Sequence, residues 1–287
     1  MPRQERLILY NPFAGGYRQK KVEALGETLG KAPVENFFDW SQSRELDQPP
    51  KELILFGGDG LVRRVFSSLL QKPDLEETPL LVVAGGGTGN TLRRMLVKSG
   101  ATVSREELTD GAGFSKGKII RPGELRSETD GGLPFVSVAG LGPFGEMWAK
   151  CMDLVRRPKL PSSVRLNLAG LGGVLANTFW AKNSEEVLDA FTTGPNLGFF
   201  PVSSQELTDG TLTRIRVDKN RKLILALLFW RFGHQPPESL VSVEVGDRFE
   251  VDGNKKTVNL DGGNFPLSGK ELVVQRSERG IPVVALS

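Results

Sequence analysis

Three glycine-rich loops hold the residues of this 287-residue sequence that could do chemistry. NPFAGG begins at Asn11, GGDG at Gly57 and GGGTGN at Gly85. A loop that opens a helix presents unpaired backbone N–H groups and the positive end of the helix dipole, which together suit a phosphate group. Glycine permits close approach because it has no Cβ. The second loop also carries a carboxylate, Asp59, so the set indicates phosphate binding beside an acid.

Each loop lies between a predicted strand and a predicted helix. The strands RLILY, ELILF and LLVVA are continuous apolar runs, and apolar residues at helical spacing follow each loop. Continuous apolar strands are typical of a parallel sheet that is buried on both faces. We therefore expect an open α/β domain with all three loops at the carboxyl edge of its sheet, where such domains bind ligands. One such loop could equally be a tight turn, but three in succession favour a binding site.

The rest of the chain has a different pattern, with short strands separated by turns such as ETDGG, EVGD and VDGN. We predict an α/β nucleotide-binding domain over residues 1–121 and a mainly antiparallel, sandwich-like β domain over residues 122–264. Helical segments at 146–177 and 221–232 interrupt the second domain. Residues 265–287 are predicted as a C-terminal strand segment that can return to the first domain.

The composition of the chain restricts the classes of function that the protein can have. The net charge of +3 and the pI near 9.0 are too weak to argue for nucleic acid, but they suit an anionic membrane surface or phosphorylated ligands. A single cysteine, Cys151, allows no internal disulfide and indicates a reducing, cytoplasmic setting. The longest apolar run, Leu223 to Trp230, is far shorter than the ~20 residues that a membrane-spanning helix needs. We expect no transmembrane segment, although the protein could lie peripherally on a membrane.

Two common phosphate-binding motifs do not fit the sequence. No GxxxxGK[ST] is present, which excludes a P-loop of Walker type. Gly85 and Gly87 begin a GxGxxG pattern, but Asn90 stands at the third glycine position and no acid follows at the usual spacing. A dinucleotide fold of Rossmann type is therefore disfavoured.

As a set, the motifs resemble those of the diacylglycerol kinase catalytic-domain family, which includes bacterial lipid kinases and sphingosine kinases. The likeness continues through SVAGLGPFGE from Ser137, PNLGFFPVSSQELTDGTL from Pro195 and NLDGG from Asn259. The resemblance implies transfer of the γ-phosphoryl group of ATP, with Mg²⁺, to a lipid hydroxyl in a cleft between two domains. The lipid would be of the diacylglycerol or sphingoid-base type and met at a membrane surface. A nucleic-acid partner is not expected, and a homodimer is compatible with the sequence.

Carried over position by position, the resemblance implies roles for individual residues. Asp59 and Asp261 would be the catalytic acids, Glu146 would contact the polar head of the lipid, and Asp209 matches an aspartate that binds a structural metal in bacterial members. The residues implied to bind the nucleotide are Asn11, Gly57, Gly58, Gly60, Gly87, Thr88, Gly89, Asn90 and Arg165.

The sequence departs from the family pattern at three positions. Arg64 stands where the family has an acid after GGDG, Thr91 follows GTGN in place of the usual aspartate, and Gly263 replaces the glutamate of DGE. Glycine neither accepts a proton nor ligates Mg²⁺, and loss of a general base typically costs about 10²–10⁴ in rate. Two interpretations stay open: an active kinase that uses Asp59 and Asp261 alone, and a catalytically weak or inactive member that binds nucleotide or lipid.

Overall fold

A computed structural model describes most of the chain as two compact units. The first unit is Met1–Arg121 with Glu278–Ser287, and the second is Pro122–Ser277. The described residues are 5–14, 19–42, 49–72, 78–87, 90–110, 113–127, 132–141, 188–197, 200–201, 210–232, 234–252, 257–266 and 271–287.

The first unit is built from seven strands and six helices within the described residues. Its strands are β1 Arg6–Tyr10, β2 Val34–Asn36, β3 Glu52–Gly57, β4 Leu80–Gly86, β5 Thr102–Val103, β6 Lys118–Ile120 and β19 Ile281–Leu286. Its helices are α1 Gln19–Thr28, α2 Phe37–Trp40, α3 Asp59–Leu70, α4 Thr91–Lys98, α5 Arg105–Thr109 and α6 Gly113–Lys116.

These strands form one sheet in the order β2-β1-β3-β4-β19-β5, and β6 pairs antiparallel with β19. All pairs along the main path are parallel, as the continuous apolar strands predicted. From β1 the chain turns to β2 on one side, whereas β3 and β4 follow on the other side, so the strand order reverses between β1 and β3. Open α/β sheets bind ligands outside the carboxyl ends of their strands at such a reversal.

One row of aliphatic side chains runs through the middle of this sheet. Ile8 pairs with Ile54, Ile54 with Val82, and Val82 with Val284, and all four side chains are fully buried in one cluster. Burial of each such side chain is worth about 1.5–3 kcal/mol relative to exposure. Because Val284 lies on β19, the last strand of the chain completes the core of the first unit.

The second unit is mainly antiparallel. Its strands are β7 Gly123–Ser127, β8 Leu133–Phe135, β9 Val138–Leu141, β10 Leu188–Thr192, β11 Asn196–Leu197, β12 Phe200–Pro201, β13 Leu212–Val217, β14 Ser242–Gly246, β15 Arg248–Asp252, β16 Thr257–Leu260, β17 Gly263–Pro266 and β18 Glu271–Arg276. Its described helix is α7, Asn220–Arg231.

A six-stranded sheet, β14-β13-β10-β9-β16-β17, and a four-stranded sheet, β15-β18-β7-β8, share one core. Phe191 and Leu212 of the first sheet belong to the same buried cluster as Leu125 and Val274 of the second. Side chains alternate along β13, so Ile215 instead faces the other side of the six-stranded sheet, in a cluster with residues of α7. The α/β class with a second, antiparallel domain is thus the predicted one.

The inner face of α7 is formed by Leu223, Ala226 and Trp230, all buried against the six-stranded sheet. The predicted helical segment at 221–232 is therefore observed, whereas the one at 146–177 lies outside the described residues. Among the helices that the structure describes, none combines the length and the apolar character needed to cross a membrane.

Candidate functional site

The second glycine loop opens helix α3 at the point where the strand order reverses. Helix α3 begins at Asp59 directly after β3, and Gly58 occupies its N-cap position without a side-chain cap. The first N–H groups of a helix have no partners within the helix, and the positive end of the dipole lies there. The start of this 12-residue helix is therefore suited to bind an anion.

The carboxylate of Asp59 reaches across to the start of α4. The N–H of Thr91 donates to its Oδ2 at 2.8 Å, and the N–H of Leu92 donates to its Oδ1 at 3.1 Å. The N-cap residue of α4, Asn90, makes no side-chain cap of its own. Asp59 thus supplies the cap of α4 from a neighbouring helix, and the first two N–H groups of α4 are already engaged.

Burial dominates the electrostatics of Asp59, whose side chain is among the buried polar groups of the unit. Loss of hydration raises the pKa of this carboxyl above its ordinary value of 3.8, opposed by the hydrogen bonds from Thr91 and Leu92 and by the charge of Arg94. The same burial lowers the pKa of Arg94. A carboxylate with a raised pKa is better matched to accept a proton near neutral pH.

The second and third glycine loops pack backbone against backbone. A Cβ built on Gly87 would lie 2.1 Å from Gly58 Cα, and one on Gly57 would lie 2.5 Å from the Leu61 side chain. Asn90 closes the third loop, since its Nδ2 donates to Gly87 O at 2.8 Å while its Oδ1 accepts from Gly87 N–H at 3.2 Å. Glycine at 57 and 87 is therefore required by packing, whether or not a ligand binds.

The first loop follows β1 on the other side of the strand-order reversal. The Oδ1 of Asn11 accepts a hydrogen bond from Phe13 N–H at 2.9 Å, and Asn11 O accepts from Ala14 N–H at 3.0 Å. Phe13 is 80% exposed and its ring meets Phe38 edge-on at 5.8 Å between centroids. The Arg64 guanidinium carbon lies 5.0 Å from the centre of the Phe38 ring, so this cation is held beside the loop by a cation–π contact.

The other arginines of these helices make contacts within the unit. Arg63 is buried, and Arg93 donates from Nη2 to the carbonyl of Leu286 on β19 at 2.7 Å. Arg94 donates from Nη2 to Thr91 Oγ1 at 3.3 Å, beside the Asp59 carboxylate. Of the arginines at the starts of these two helices, Arg63 is therefore buried, Arg93 and Arg94 are partly buried, and Arg64 is exposed.

Asp261 belongs to the second unit and begins a tight turn. It joins β16 to β17 together with Gly262, and the φ angles of the two residues are +49° and +84°. Two positive φ angles at the centre of a two-residue hairpin are what a type I′ turn requires, and Asp-Gly is a favoured sequence for it. The Asp-Gly of the NLDGG motif therefore has a complete conformational explanation.

The Asp261 carboxylate folds back onto the segment between β8 and β9. It accepts backbone N–H bonds from Val136 at 2.8 Å, Ser137 at 2.9 Å and Val138 at 3.0 Å, and the Ser137 hydroxyl donates to it at 2.6 Å. Three of these donors point to Oδ1, and the Val136 N–H points to Oδ2. The four bonds fix the orientation of the carboxylate and join the turn to the segment between β8 and β9.

Gly263, at the position of the missing glutamate, starts β17 directly after this turn. A Cβ at this position would lie 3.1 Å from the ring of Phe265 and 3.6 Å from Leu260 O. A side chain here is tolerated if the Phe265 ring moves by a few tenths of an ångström. The structure could therefore accommodate an acidic side chain at position 263.

The structure brings part of the predicted site together. Six predicted residues lie in or next to the second and third glycine loops of the first unit: Gly57, Gly58, Asp59, Gly60, Gly87 and Asn90. The hydrogen bonds of Asp59 join the starts of α3 and α4 there. Asn11 lies at the end of the neighbouring strand β1, and Asp261 lies in the second unit. The predicted residues Thr88, Gly89, Glu146, Arg165 and Asp209 fall outside the described residues.

Two residues with clear roles were not predicted from the sequence. Thr91 donates its backbone N–H to Asp59, and the sequence marked it only as a departure from the family pattern. Ser137 is buried and donates twice to Asp261, and its only signal was its position at the start of the SVAGLG motif. Over the described ranges, no group of three His, Cys, Asp or Glu side chains could hold a metal ion without other ligands.

Comparison with known proteins supports the motif interpretation. Residues 5–112 match the family model of the diacylglycerol kinase catalytic domain, which confirms the resemblance predicted from the glycine loops. No curated protein matches the chain. The matched residues include all three glycine-rich loops of the first unit.

Solved structures match over almost the whole chain. A diacylglycerol kinase from Bacillus anthracis str. Sterne matches with a TM-score of 0.62 and 15% identity, over 99% of this chain and 97% of that one. A proposed diacylglycerol kinase of the same strain matches with a TM-score of 0.65 and 18% identity, over 99% and 97% of the two chains. At these identities the likeness shows the fold, including the second unit.

Substitution of Gly87 by alanine tests the packing of the two loops. The added methyl group would meet the Gly58 backbone, so we expect the free energy of unfolding to fall by about 1–3 kcal/mol in urea denaturation. Gly132→Ala is the control, because Gly132 has no left-handed φ and its Cβ would meet only flexible side-chain atoms, the nearest being Glu124 Oε2 at 3.2 Å. A Gly87→Ala loss no larger than the Gly132→Ala loss would contradict the steric explanation.

The pKa of Asp59 predicts a pH dependence of stability with a definite sign. Because the pKa is raised in the folded state, the unfolded chain releases this proton first as the pH rises. The stabilising contribution of Asp59 is therefore complete below pH 3.8 and is lost as the pH rises through the folded-state pKa. The free energy of unfolding of the wild type minus that of Asp59→Asn should fall over this range and then level off. Urea denaturation at a series of pH values measures this difference in free energy of unfolding. A difference that rises with pH would contradict a raised pKa of Asp59.

Proposed function

We propose that this protein is an ATP-dependent lipid kinase, which transfers the γ-phosphoryl group to the hydroxyl of a diacylglycerol or a sphingoid base. The observation that carries the proposal is the position of Asp59, at the uncapped start of α3 and beside the reversal in strand order. The family match over residues 5–112 includes all three glycine loops and supports a phosphotransferase.

The two helix starts have different roles in this proposal. The N–H groups of Thr91 and Leu92 are occupied by Asp59, so the start of α4 is not the phosphate site. The start of α3 has no side-chain cap, so it receives the nucleotide phosphates together with the loop after Asn11. Gly87 and Asn90 serve by fixing the shape of the third loop, against which the second loop packs.

Asp59 is proposed as the acid that orients the attacking hydroxyl and accepts its proton. Burial raises its pKa, which favours this role, and Thr91 and Leu92 hold the carboxylate in one orientation. Its two oxygens accept two backbone hydrogen bonds, and the Thr91 side chain donates a third, so about one of four lone-pair sites stays available to a ligand.

The fold family implies Mg²⁺, and the carboxylate of Asp59 is a suitable ligand for this ion. Mg²⁺ is usually bound by one or two carboxylates together with substrate phosphates and water. Asp59 would be the protein ligand in the described part of the first unit, with the nucleotide phosphates supplying the others. When bound, the ion would neutralise charge on the transferred phosphoryl group.

A second candidate function, a nucleotide- or lipid-binding protein with little turnover, is favoured by one observation. The carboxylate of Asp261 is engaged in four hydrogen bonds within the second unit, and Gly263 carries no acid at the DGG position. Asp59 would then have to act without a second acid. The two candidates differ in turnover and agree on nucleotide binding.

Nucleotide binding and phosphoryl transfer test the proposal together. Wild type should bind Mg·ATP in calorimetry and phosphorylate dispersed diacylglycerol or sphingosine, whereas Asp59→Asn should lose about 10²–10⁴ in rate. Asp110→Asn removes an exposed acid of the same unit and serves as the matched control. Asp59→Asn that still binds ATP would separate the chemical role of this residue from its role as the α4 cap. If wild type binds no nucleotide, the kinase is excluded.

Restoring the missing acid tests the second candidate. If turnover is low because position 263 lacks an acid, Gly263→Glu should raise the rate of phosphoryl transfer by about tenfold or more. Gly263→Gln fills the same space next to Phe265 without a charge and should not raise the rate. Equal rates for both variants, with nucleotide binding preserved, would exclude this explanation of a weak activity.

A further inference from the structure

Helix α7 exposes a second apolar face on the side that does not contact the sheet. Its residues, which we call the α7 surface, are Ile224, Leu225, Leu228, Phe229 and Phe232, all partly to largely exposed. Phe232 is 74% exposed and Leu228 is 50% exposed. The helix is therefore apolar on both sides, although only one side is covered in the described structure.

The α7 surface is one continuous stripe rather than scattered residues. Its members recur at i, i+1, i+4, i+5 and i+8, which places them in a sector about 140° wide at 100° per residue. The buried residues Leu223, Ala226 and Trp230 occupy the opposite side. Single exposed apolar residues are ordinary on protein surfaces, but a contiguous patch marks an interaction site.

The edge strand β14 extends this apolar character. Val243 is paired with Ile215 and Val245 with Thr213, so both valines lie on the sheet face that α7 covers. Both valines are nevertheless exposed. The sheet face next to α7 therefore adds apolar side chains to the same side of the unit.

Cations lie at the N-terminal end of the stripe. Lys219 and Arg221 are exposed, and Lys222 is paired with Asp218 at 3.1 Å. Helix α7 itself contains no acidic residue. An apolar helix face flanked by Lys and Arg is the pattern of helices that lie in the interface of an anionic bilayer.

We propose that the α7 surface docks the protein on an anionic lipid bilayer. Charge decides between this occupant and a second copy of the chain. A bilayer offers acidic head groups to Lys219 and Arg221 and an apolar interior to the stripe. The α7 helix of a second copy has no acidic residue, and Asp218, just before it, is already paired with Lys222. The inference deepens the proposed function, from which it takes the lipid as substrate, because docking would bring the protein to its substrate.

Vesicle binding without nucleotide tests the proposal directly. The probe is sedimentation of the full chain with phosphatidylcholine vesicles that contain phosphatidylglycerol, compared with pure phosphatidylcholine vesicles. Wild type should bind the anionic vesicles, and the double variant Leu225→Glu with Leu228→Glu should lose about tenfold or more in affinity. Val97→Glu places a charge at an exposed apolar position of α4 in the first unit and should bind as wild type does.

Charge reversal gives a second, independent variant. Lys219→Glu with Arg221→Glu should weaken binding to the anionic vesicles by about tenfold or more, since each Lys or Arg near such a surface contributes to binding. Lys20→Glu with Lys21→Glu changes the net charge equally on exposed positions of α1 and should have a much smaller effect. Binding of wild type should also weaken at high salt.

Two results would overturn the docking proposal. One is equal sedimentation of wild type and both α7 variants with anionic vesicles. The other is a wild type that does not bind vesicles but forms a dimer which Leu225→Glu with Leu228→Glu dissociates, as size-exclusion chromatography would detect. Because the assay contains no ATP, failure of docking is distinct from failure of the kinase, which is read from phosphorylation of dispersed lipid.

Discussion

The candidate site depends on one interaction, the bidentate acceptance of two α4 N–H groups by the carboxylate of Asp59. This residue is the first of α3 and the cap of α4, so it joins the two helices that follow the second and third glycine loops. The glycines serve the same junction, because Gly58 and Gly87 are so close that a side chain would not fit between them. The loop geometry is therefore imposed by packing before any ligand is considered.

In the proposed function, Asp59 has two roles, one structural and one catalytic. A carboxylate held by the N–H groups of Thr91 and Leu92 has its orientation fixed, which is an advantage for positioning a reacting group. Burial at the same time raises its pKa and makes it a better proton acceptor. The structural role and the proposed catalytic role are thus compatible, but they are also coupled, because a substitution of Asp59 would change both.

The acid of the second unit, Asp261, has different contacts from those of Asp59. Asp261 starts a type I′ hairpin, and its carboxylate accepts four hydrogen bonds from residues 136–138. These bonds give it a structural role, because they join the turn to the segment between β8 and β9. The docking proposal instead assigns contact with lipid to the exposed apolar face of α7.

Much of the fold followed from the sequence, because it depends on local patterns. Continuous apolar strands ending in glycine predicted the parallel sheet, and short strands separated by turn residues predicted the antiparallel unit. Both depend on side chains close in sequence, so they can be read without knowing which strands become neighbours. The order of the glycine motifs likewise predicted the kinase resemblance, now confirmed over residues 5–112.

Contacts between distant residues were decided only by the tertiary structure. Asp59 is hydrogen-bonded to Thr91, 32 residues away, and Asp261 to Ser137, 124 residues away. Because these partners are far apart in sequence, no local sequence pattern predicts either hydrogen bond. The reversal in strand order next to β1 and β3 depends on how non-consecutive strands pair. The apolar run from Leu223 to Trp230 is a further example. The sequence shows that it is apolar, but only packing against the sheet decides which side of the helix is buried and which side stays exposed.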